Sequence, residues 1–172
     1  PLETQSKILR VVIDQKFKRI NSNHDIKVDV RFICTNSKDA KQEIKFGKIK
    51  DLIKNNRLLL DGSHNEDGAR VLNEYLQTLD CNKHFIIGMM SNKDHEKYIS
   101  YFKDISSLTT VDIPNQQNAI SGKKLKEKFQ NVFNAKYEDN IEKAIKSLTL
   151  KENDILIITG SLYLAGEILN LN

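Results

Sequence analysis

The sequence predicts an α/β fold with three layers, in which a mostly parallel sheet carries helices on both faces. Three short apolar runs, at residues 58–60, 85–90 and 154–161, are typical of strands buried inside a parallel sheet. Each run is followed by a turn of small or polar residues and then by a helical pattern of apolar positions. Strands that alternate with helices at this spacing favour a parallel sheet.

The first 45 residues predict a helix, a polar break and a strand. Apolar residues recur through residues 2–20 at helical spacing, and the polar residues 21–25 interrupt them. Residues 26–32 alternate between apolar and polar side chains, which indicates a half-buried strand. Residues 36–45 are charged and are expected to form a linker or a short helix.

The remaining residues predict alternating helices and strands. After the turn at Asp61 and Gly62 we expect a helix from about Asn65, because apolar residues at 71, 72, 75, 76 and 79 share a helical face. Ser63 and Glu66 have the spacing of a capping box. Further strands are predicted at 84–90, 108–113, 135–137 and 154–160, and further helices at 94–103, 121–133, 139–148 and 162–169.

Composition excludes several classes of protein. The 172 residues suit one domain with or without a short flank, and the net charge is +4. No apolar run approaches the roughly 20 residues that a membrane helix needs. The densest basic cluster, at residues 123–128, is interrupted by Leu125 and Glu127, which indicates the solvated face of a helix and not a nucleic-acid site.

The cysteines and the start of the chain carry two smaller predictions. Cys34 and Cys81 lack the spacing of metal ligands, so we expect reduced thiols in a cytoplasmic protein. The histidines and acidic residues also lack such spacing, and we predict no metal site. Because the chain opens on Pro1 and not on Met, we expect that upstream sequence has been removed.

Polar side chains gather in the turns that follow three predicted strands. The carboxyl ends of parallel strands meet at one edge of the sheet, where open α/β folds bind ligands and where helix N-termini favour anions. The residues expected at this edge are Asp61, His64, Asn65, Lys93, Asp94, Ser161 and Tyr163.

Three motifs carry a resemblance to a known family. D-G-S-H-N at 61–65, G-M-M-S-N-K-D at 88–94 and G-S-L-Y-L-A-G-E at 160–167 resemble the C-terminal domain of the folylpolyglutamate synthase / dihydrofolate synthase family. The family's usual forms are D-G-A-H-N, G-M-x-x-D-K-D and G-S-L-Y-L-x-G-E, in the same order. The resemblance implies a Mur-ligase-type, Rossmann-like domain over residues 46–172. Residues 1–45 would then be a flank, a possible remnant of an interdomain connection.

The resemblance also implies roles for individual residues at the nucleotide. Asp61 matches a residue near the ATP ribose, and Asn65 lies beside it in the motif. His64 matches a residue near the nucleotide and the incoming glutamate, where we expect positioning and electrostatic effects. Lys48 stands where the family has an arginine associated with the phosphates, and a lysine meets phosphate only as a point charge.

Further roles follow for the other two motifs. Lys93 is implied, with His64, as a catalytic residue, whereas Asp94, Ser161 and Tyr163 are implied to bind substrate. Each prediction has a structural alternative, because Asp61, Asn65, Asp94 and Ser161 are also residue types that begin helices. The family's aspartate before Lys93 is Asn92 here, which removes a charge.

The activity implied by the resemblance is the ATP-dependent addition of L-glutamate to a folate or to dihydropteroate through an acyl phosphate. The sequence lacks the G-x-x-x-x-G-K-[ST] phosphate loop that the family carries in its N-terminal domain. We therefore expect this chain alone to be inactive and to act with a phosphate-loop domain, which would bind most of the Mg²⁺. We expect neither nucleic acid nor membrane as a partner.

Alternative functions remain open at this point. The chain could be a non-catalytic relic or an interaction module that retains the fold, and the changes at Lys48 and Asn92 favour this interpretation mildly. It could also be the C-terminal domain of a peptidoglycan-precursor Mur ligase, although the first and third motifs resemble the folate branch more closely. An unrelated α/β nucleotide binder is disfavoured by three motifs in order.

Overall fold

The computed structural model describes residues 16–18, 22, 24–27 and 57–170. The chain divides into two compact units, Pro1–Glu43 and Ile44–Asn172. The predicted linker at 36–45, Cys34 and Lys48 lie outside the described residues.

The described part of the first unit is an antiparallel strand pair. Strand β1 (Lys16–Lys18) pairs with β2 (Asp25–Lys27), and Phe17 lies opposite Ile26. The prediction of a helix over residues 2–20 is therefore wrong at residues 16–18. Lys16 and Lys18 both form ion pairs with Asp25, with 3.1 and 3.7 Å between nitrogen and oxygen. These pairs join the two strands, and the helical spacing of apolar residues gave no sign of them. Of the predicted strand at 26–32, residues 26 and 27 are in β2 and the rest lie outside the described residues.

The second unit alternates strands with helices from residue 57 to residue 170. Its elements are β3 (Arg57–Leu60), α1 (Glu66–Gln77), β4 (Asn82–Ile87), α2 (His95–Ser100), β5 (Ile105–Val111), α3 (Gly122–Phe129), β6 (Lys136–Glu138), α4 (Ile141–Lys146), β7 (Asp154–Thr159) and α5 (Leu162–Asn170).

The five strands of this unit form one parallel sheet in the order β3-β7-β4-β5-β6. Apolar side chains on one face of the sheet pack against α1, α2 and α3, and those on the other face pack against α4 and α5. Phe85 and Ile86 show the alternation, because they are neighbours in β4 and belong to opposite cores. The predicted three-layer α/β class is confirmed.

The sheet order decides where the three motifs lie. Strands β3, β7 and β4 are adjacent in the sheet, and each is followed by one of the motifs. Because the three strands are parallel, the turns after them emerge at the same edge, here called the carboxyl edge. The sequence order of the motifs is first, second, third, whereas their spatial order is first, third, second.

The helices begin at side-chain caps, and one predicted cap is wrong. Asp94, Ser121 and Asn140 each accept a backbone N–H from the first turn of the helix that follows. At α1, however, the cap is Asn65, whose Oδ1 accepts from the Gly68 N–H at 2.9 Å. The predicted capping box of Ser63 and Glu66 is not formed, because Ser63 lies in the turn two residues before the cap.

Candidate functional site at the carboxyl edge of the sheet

The turn after β3 is fixed by Asp61. Its backbone N–H continues the sheet by donating to the Ile158 carbonyl at 3.0 Å. Its carboxylate oxygen Oδ1 accepts from the Ser63 N–H at 2.8 Å and from the Thr159 hydroxyl at 3.1 Å. The other oxygen, Oδ2, accepts no hydrogen bond within residues 57–170. One oxygen therefore holds the turn, and the other keeps its acceptor capacity for a ligand.

His64 and Asn65 complete this turn with different roles. The His64 Nδ1 lies 3.0 Å from the Gly62 carbonyl. A carbonyl only accepts, so Nδ1 carries the proton, and in the neutral ring Nε2 is left as an acceptor. The Asn65 side chain is exposed and is used as the cap of α1. The structure thus supports the capping alternative for Asn65 and leaves His64 with one available ring nitrogen.

The turn after β7 depends on Gly160. Its φ of +101° lies in the region that L side chains avoid, and a Cβ there would meet the Gly88 carbonyl oxygen at 2.8 Å. The Gly160 N–H donates to the Ser63 carbonyl at 3.0 Å. Glycine at this position therefore brings the third motif against both the first motif and the start of the second.

Ser161 and Tyr163 begin helix α5. Ser161 is 2% exposed, and its hydroxyl oxygen accepts from the Tyr163 N–H at 3.1 Å. The capping alternative for Ser161 is therefore supported. The half-buried Tyr163 packs against the core beneath α4 and α5. The first turn of α5 contains no acidic residue, so no negative side chain there offsets the positive end of the helix dipole.

The turn after β4 carries Lys93 and Asp94. Asp94 is exposed, and its Oδ1 accepts from the Lys97 N–H at 3.1 Å as the cap of α2. Lys93 is half-buried and makes no ion pair or hydrogen bond with the described residues. The next residue, His95, is buried, and its Nε2 lies 2.9 Å from the Met90 carbonyl. Burial is the main cause that lowers the pKa of the His95 ring below its usual value of 6.5.

Three residues at this edge were not predicted as site residues from the sequence. The hydroxyls of Ser63, Tyr98 and Thr159 form a cluster, with 2.9 Å between Tyr98 and Thr159 and 3.2 Å from Ser63 to each of the other two. Burial raises the pKa of Tyr98 to about 12, so its hydroxyl is a neutral donor. Tyr98 is four positions beyond Asp94, within the buried side of a short helix, where its apolar neighbours gave it the pattern of a core residue.

The described residues do not form a metal centre of their own. Among the residues that the structure describes, no group of three or more His, Cys, Asp or Glu side chains could hold a metal ion. No helix among the described residues is long and apolar enough to cross a bilayer.

These features define a class of protein. A parallel α/β sheet carries polar turns at the carboxyl ends of three adjacent strands, which is the arrangement of a domain that binds a small ligand beside its sheet. Residues 42–171 match the family model described as the dihydrofolate synthetase C-terminal domain, and the chain belongs to that family. The resemblance drawn from the three motifs is thereby confirmed.

Solved structures of folylpolyglutamate synthases share the fold. The Mycobacterium tuberculosis enzyme complexed with ADP and AMPPCP is 19% identical, with a TM-score of 0.60, over 66% of this chain and 29% of its own. The Thermotoga maritima enzyme is 23% identical, with a TM-score of 0.59, over 66% and 27%. A bifunctional folylpolyglutamate synthase/dihydrofolate synthase with Mn, AMPPNP and L-glutamate bound is 19% identical, with a TM-score of 0.57, over 68% and 29%. The chain thus spans less than a third of each synthase.

The first part of the chain is similar to a different family. Residues 1–58 match the family model described as the sigma-54 interaction domain. NtrX of Azorhizobium caulinodans is 39% identical over 51 residues, which are 30% of this chain and 11% of NtrX. FlgR of Helicobacter pylori is 43% identical over 44 residues, or 26% and 12%. The two family matches overlap at residues 42–58, where Lys48 lies.

Proposed function

We propose that this chain supplies the glutamate-ligase half-site of a folylpolyglutamate synthase or dihydrofolate synthase, a cytoplasmic ligase that adds L-glutamate to a folate or to dihydropteroate with ATP. The observation that carries the proposal is Asp61. One of its carboxylate oxygens is bound twice within the turn, and the other is free of partners within residues 57–170. A carboxylate held in this way suits the hydroxyl groups of a ribose, which donate hydrogen bonds.

The roles of the neighbouring residues follow from what each atom has available. His64 offers Nε2 to the nucleotide or to the amine of glutamate, because Nδ1 is engaged by the Gly62 carbonyl. Lys93 supplies a cation without a described partner, suited to the developing charge of phosphoryl transfer. Asn65 and Asp94 contribute through the helices that they cap, and Lys48 is proposed at the phosphates on the resemblance alone.

The substrate glutamate is proposed to lie near α5. A carboxylate is stabilised near the positive end of a helix, and the first turn of α5 lacks acidic residues, whereas α1 has Glu66 and Asp67 there. Ser161 and Tyr163 begin α5, and Ser161 fixes the backbone of this turn. The helix dipoles therefore favour the third motif over the first for the anionic substrate.

The chain needs a partner for the full reaction. In the proposed reaction a substrate carboxylate takes the γ-phosphoryl group of ATP, and the amine of L-glutamate then displaces phosphate to form the amide. The described residues contain no acidic cluster for a metal ion, so the Mg²⁺ that accompanies ATP is proposed to be bound by a phosphate-loop domain. Closure of the two domains would exclude the water that hydrolyses an acyl phosphate.

The proposal is tested by titrating the full chain separately with ATP and with L-glutamate while recording its backbone amide resonances. We expect ATP to shift the amides of residues 61–65 and L-glutamate to shift those of residues 161–163. Asp61→Asn keeps the acceptor for Ser63 and loses the charge, and we expect it to weaken ATP binding about tenfold, or by about 1.4 kcal/mol.

The matched control for this titration is Asp80→Asn, which alters an exposed carboxylate three residues beyond the C-terminal end of α1. We expect the Asp80 variant to bind ATP as the unchanged chain does. Equal losses in both variants, or shifts spread evenly over the sheet, would contradict a nucleotide site at Asp61.

A second candidate function is favoured by the first 58 residues. Their match to the sigma-54 interaction domain supports an interaction module, in which the chain would bind sigma-54 and would not act as a ligase. The experiment is a titration of the full chain with purified sigma-54. Binding at micromolar concentration without any response to ATP would favour the interaction module, and an ATP response without sigma-54 binding would exclude it.

A further inference from the structure

The buried hydroxyl of Tyr98 connects the helix that follows the second motif to the turns of the other two. Its ring is fully buried and meets Phe102 edge-on, with 5.3 Å between the ring centroids. Its oxygen lies 3.2 Å from the Ser63 carbonyl oxygen and 2.9 Å from the Thr159 hydroxyl. Because Tyr98 is in α2, Ser63 follows β3 and Thr159 ends β7, this one atom contacts all three parts of the site.

The Asp61 carboxylate constrains the direction of the hydrogen bonds in this cluster. Thr159 lies 3.1 Å from Asp61 Oδ1, and a carboxylate only accepts, so the Thr159 hydroxyl donates to Asp61. Thr159 must then accept from the other hydroxyls. Tyr98 remains protonated because burial raises its pKa to about 12, and it donates to the Ser63 carbonyl or to Thr159. The single Tyr98 proton goes to one of these two acceptors, and the Thr159 hydroxyl, 2.9 Å from the Tyr98 oxygen, links Tyr98 to the carboxylate.

We propose that Tyr98 is a positioning residue, whose hydroxyl, acting through Thr159 and Ser63, orients Asp61 for its ligand and holds the first motif against the third. This inference rests on the proposed function in so far as the ligand is a nucleotide. The Ser63 carbonyl accepts from the Gly160 N–H at 3.0 Å, and its oxygen lies 3.2 Å from the Tyr98 hydroxyl. Loss of the Tyr98 hydroxyl therefore loosens the carbonyl that joins the two turns.

The test uses Tyr98→Phe in the full chain, with amide hydrogen exchange and ATP affinity as the two measurements. The variant keeps the ring that packs on Phe102, and Thr159 keeps the Ser63 hydroxyl at 3.2 Å as a partner, so the fold is retained. We expect exchange at the Ser63 and Gly160 amides to accelerate about tenfold, since each depends on this cluster. We expect the dissociation constant for ATP to rise about three- to tenfold.

Two further variants separate positioning from general stability. Tyr75→Phe, on an exposed tyrosine of α1, should change neither measurement. Ser63→Ala removes one hydroxyl but keeps the carbonyl, and it should produce a smaller change than Tyr98→Phe. Combined with Asp61→Asn, the Tyr98 change should add little to the loss of ATP affinity, because both act on the same carboxylate.

The inference is overturned if Tyr98→Phe leaves the exchange of Ser63 and Gly160 unchanged. It is also overturned if exchange rises equally at the Ile86 amide in the middle of the sheet, which would make Tyr98 a core residue only. A local increase in exchange with unchanged ATP affinity overturns the claim about Asp61. Failure of the unchanged chain to bind ATP contradicts the proposed function instead, and the exchange rates still decide whether Tyr98 holds the two turns.

Discussion

The two ends of the same sheet carry polar clusters of similar composition and different character. At the carboxyl edge, Asp61 Oδ2 and Lys93 have no partners among the described residues. At the amino edge, both oxygens of Asp154 are bound, Oδ1 by Asn82 at 2.8 Å and Oδ2 by the Lys151 N–H at 2.7 Å. His84 extends this second cluster from Asp154 to Ser107.

The difference separates a candidate ligand site from a cluster that stabilises the sheet. Asp154 is 2% exposed, and its hydrogen bonds tie together the first residues of β4 and β7. Asp61 is half-buried and keeps one oxygen available in a turn. A serine, a histidine and an aspartate in contact therefore do not by themselves indicate a reactive centre, because both oxygens of the buried Asp154 are already bound and leave little for a substrate.

The largest expected effect concerns the backbone that forms the carboxyl edge. Gly160→Ala should lower the free energy of unfolding by about 2 to 4 kcal/mol, because a side chain is strained at φ +101° and meets the Gly88 carbonyl oxygen at 2.8 Å. Chemical denaturation monitored by circular dichroism measures this change.

The matched control is Gly166→Ala in the same motif. A Cβ at Gly166 has no heavy atom within 4 Å, and the position is inside α5. Alanine should therefore stabilise the chain by about 0.5 to 1 kcal/mol. Similar destabilisation by both changes would show that Gly160 is not held by the contact between the turns.

The next largest effect concerns Asp154 at the amino edge, whose contribution to the free energy of unfolding depends on pH. The hydrogen bond from the Lys151 N–H is the main cause that holds the pKa of Asp154 below its usual value of 3.8. A carboxyl whose pKa is lowered by folding stabilises the folded state above its unfolded pKa, and this stabilisation is lost as the pH falls through the folded pKa. Asp154→Asn should lower the unfolding free energy at pH 7 by about 1 to 3 kcal/mol.

Denaturation at a series of pH values measures both the size of this loss of stability and the direction in which it changes with pH. The difference between Asp154→Asn and the unchanged chain should shrink as the pH falls below about 4 and passes through the folded pKa of Asp154. Asp80→Asn, on an exposed carboxylate, serves as the reference for the charge change alone. A difference that grows as the pH falls below about 4 would show that Asp154 is not held as the ionised form.

The sheet and the identity of the motif turns could be predicted from the sequence. The continuous apolar runs of β3, β4 and β7 gave a buried parallel sheet, and turn residues such as Gly62 and Gly160 marked where it ends. Helix ends were predicted less well, since α2 ends at Ser100 and not at residue 103, and α3 at Phe129 and not at residue 133. Apolar residues continue past these ends because Phe102 and Phe133 pack against the core from the following loops.

The contacts of the site could not be predicted from local pattern. Tyr98 and Thr159 are 61 positions apart, and only the sheet order β3-β7-β4 brings their hydroxyls together. Likewise, Ser63 had the spacing of a capping residue with Glu66, but its backbone is held by Asp61, Tyr98 and Gly160. The first 45 residues were interpreted as a flank of the same family, whereas the similarity of residues 1–58 is to the sigma-54 interaction domain. Their interpretation as a remnant of a connection stays a prediction.

The comparison of the two edges is tested most directly by one pair of histidine variants, His64→Ala and His84→Ala, measured for ATP affinity and for unfolding free energy. Each ring has Nδ1 engaged, by the Gly62 carbonyl at 3.0 Å and by the Ser107 hydroxyl at 2.8 Å. Nε2 of His64 has no described partner, whereas Nε2 of His84 lies 3.3 Å from Asp154 Oδ2, an electrostatic contact without hydrogen-bond geometry.

We expect His64→Ala to weaken ATP binding about five- to tenfold and to change the unfolding free energy by less than about 0.5 kcal/mol. His84→Ala should lower the unfolding free energy by about 1 to 2 kcal/mol and leave ATP affinity unchanged. The opposite pattern, equal effects of the two variants on both quantities, or no ATP binding by the unchanged chain would contradict the assignment of ligand binding to the carboxyl edge.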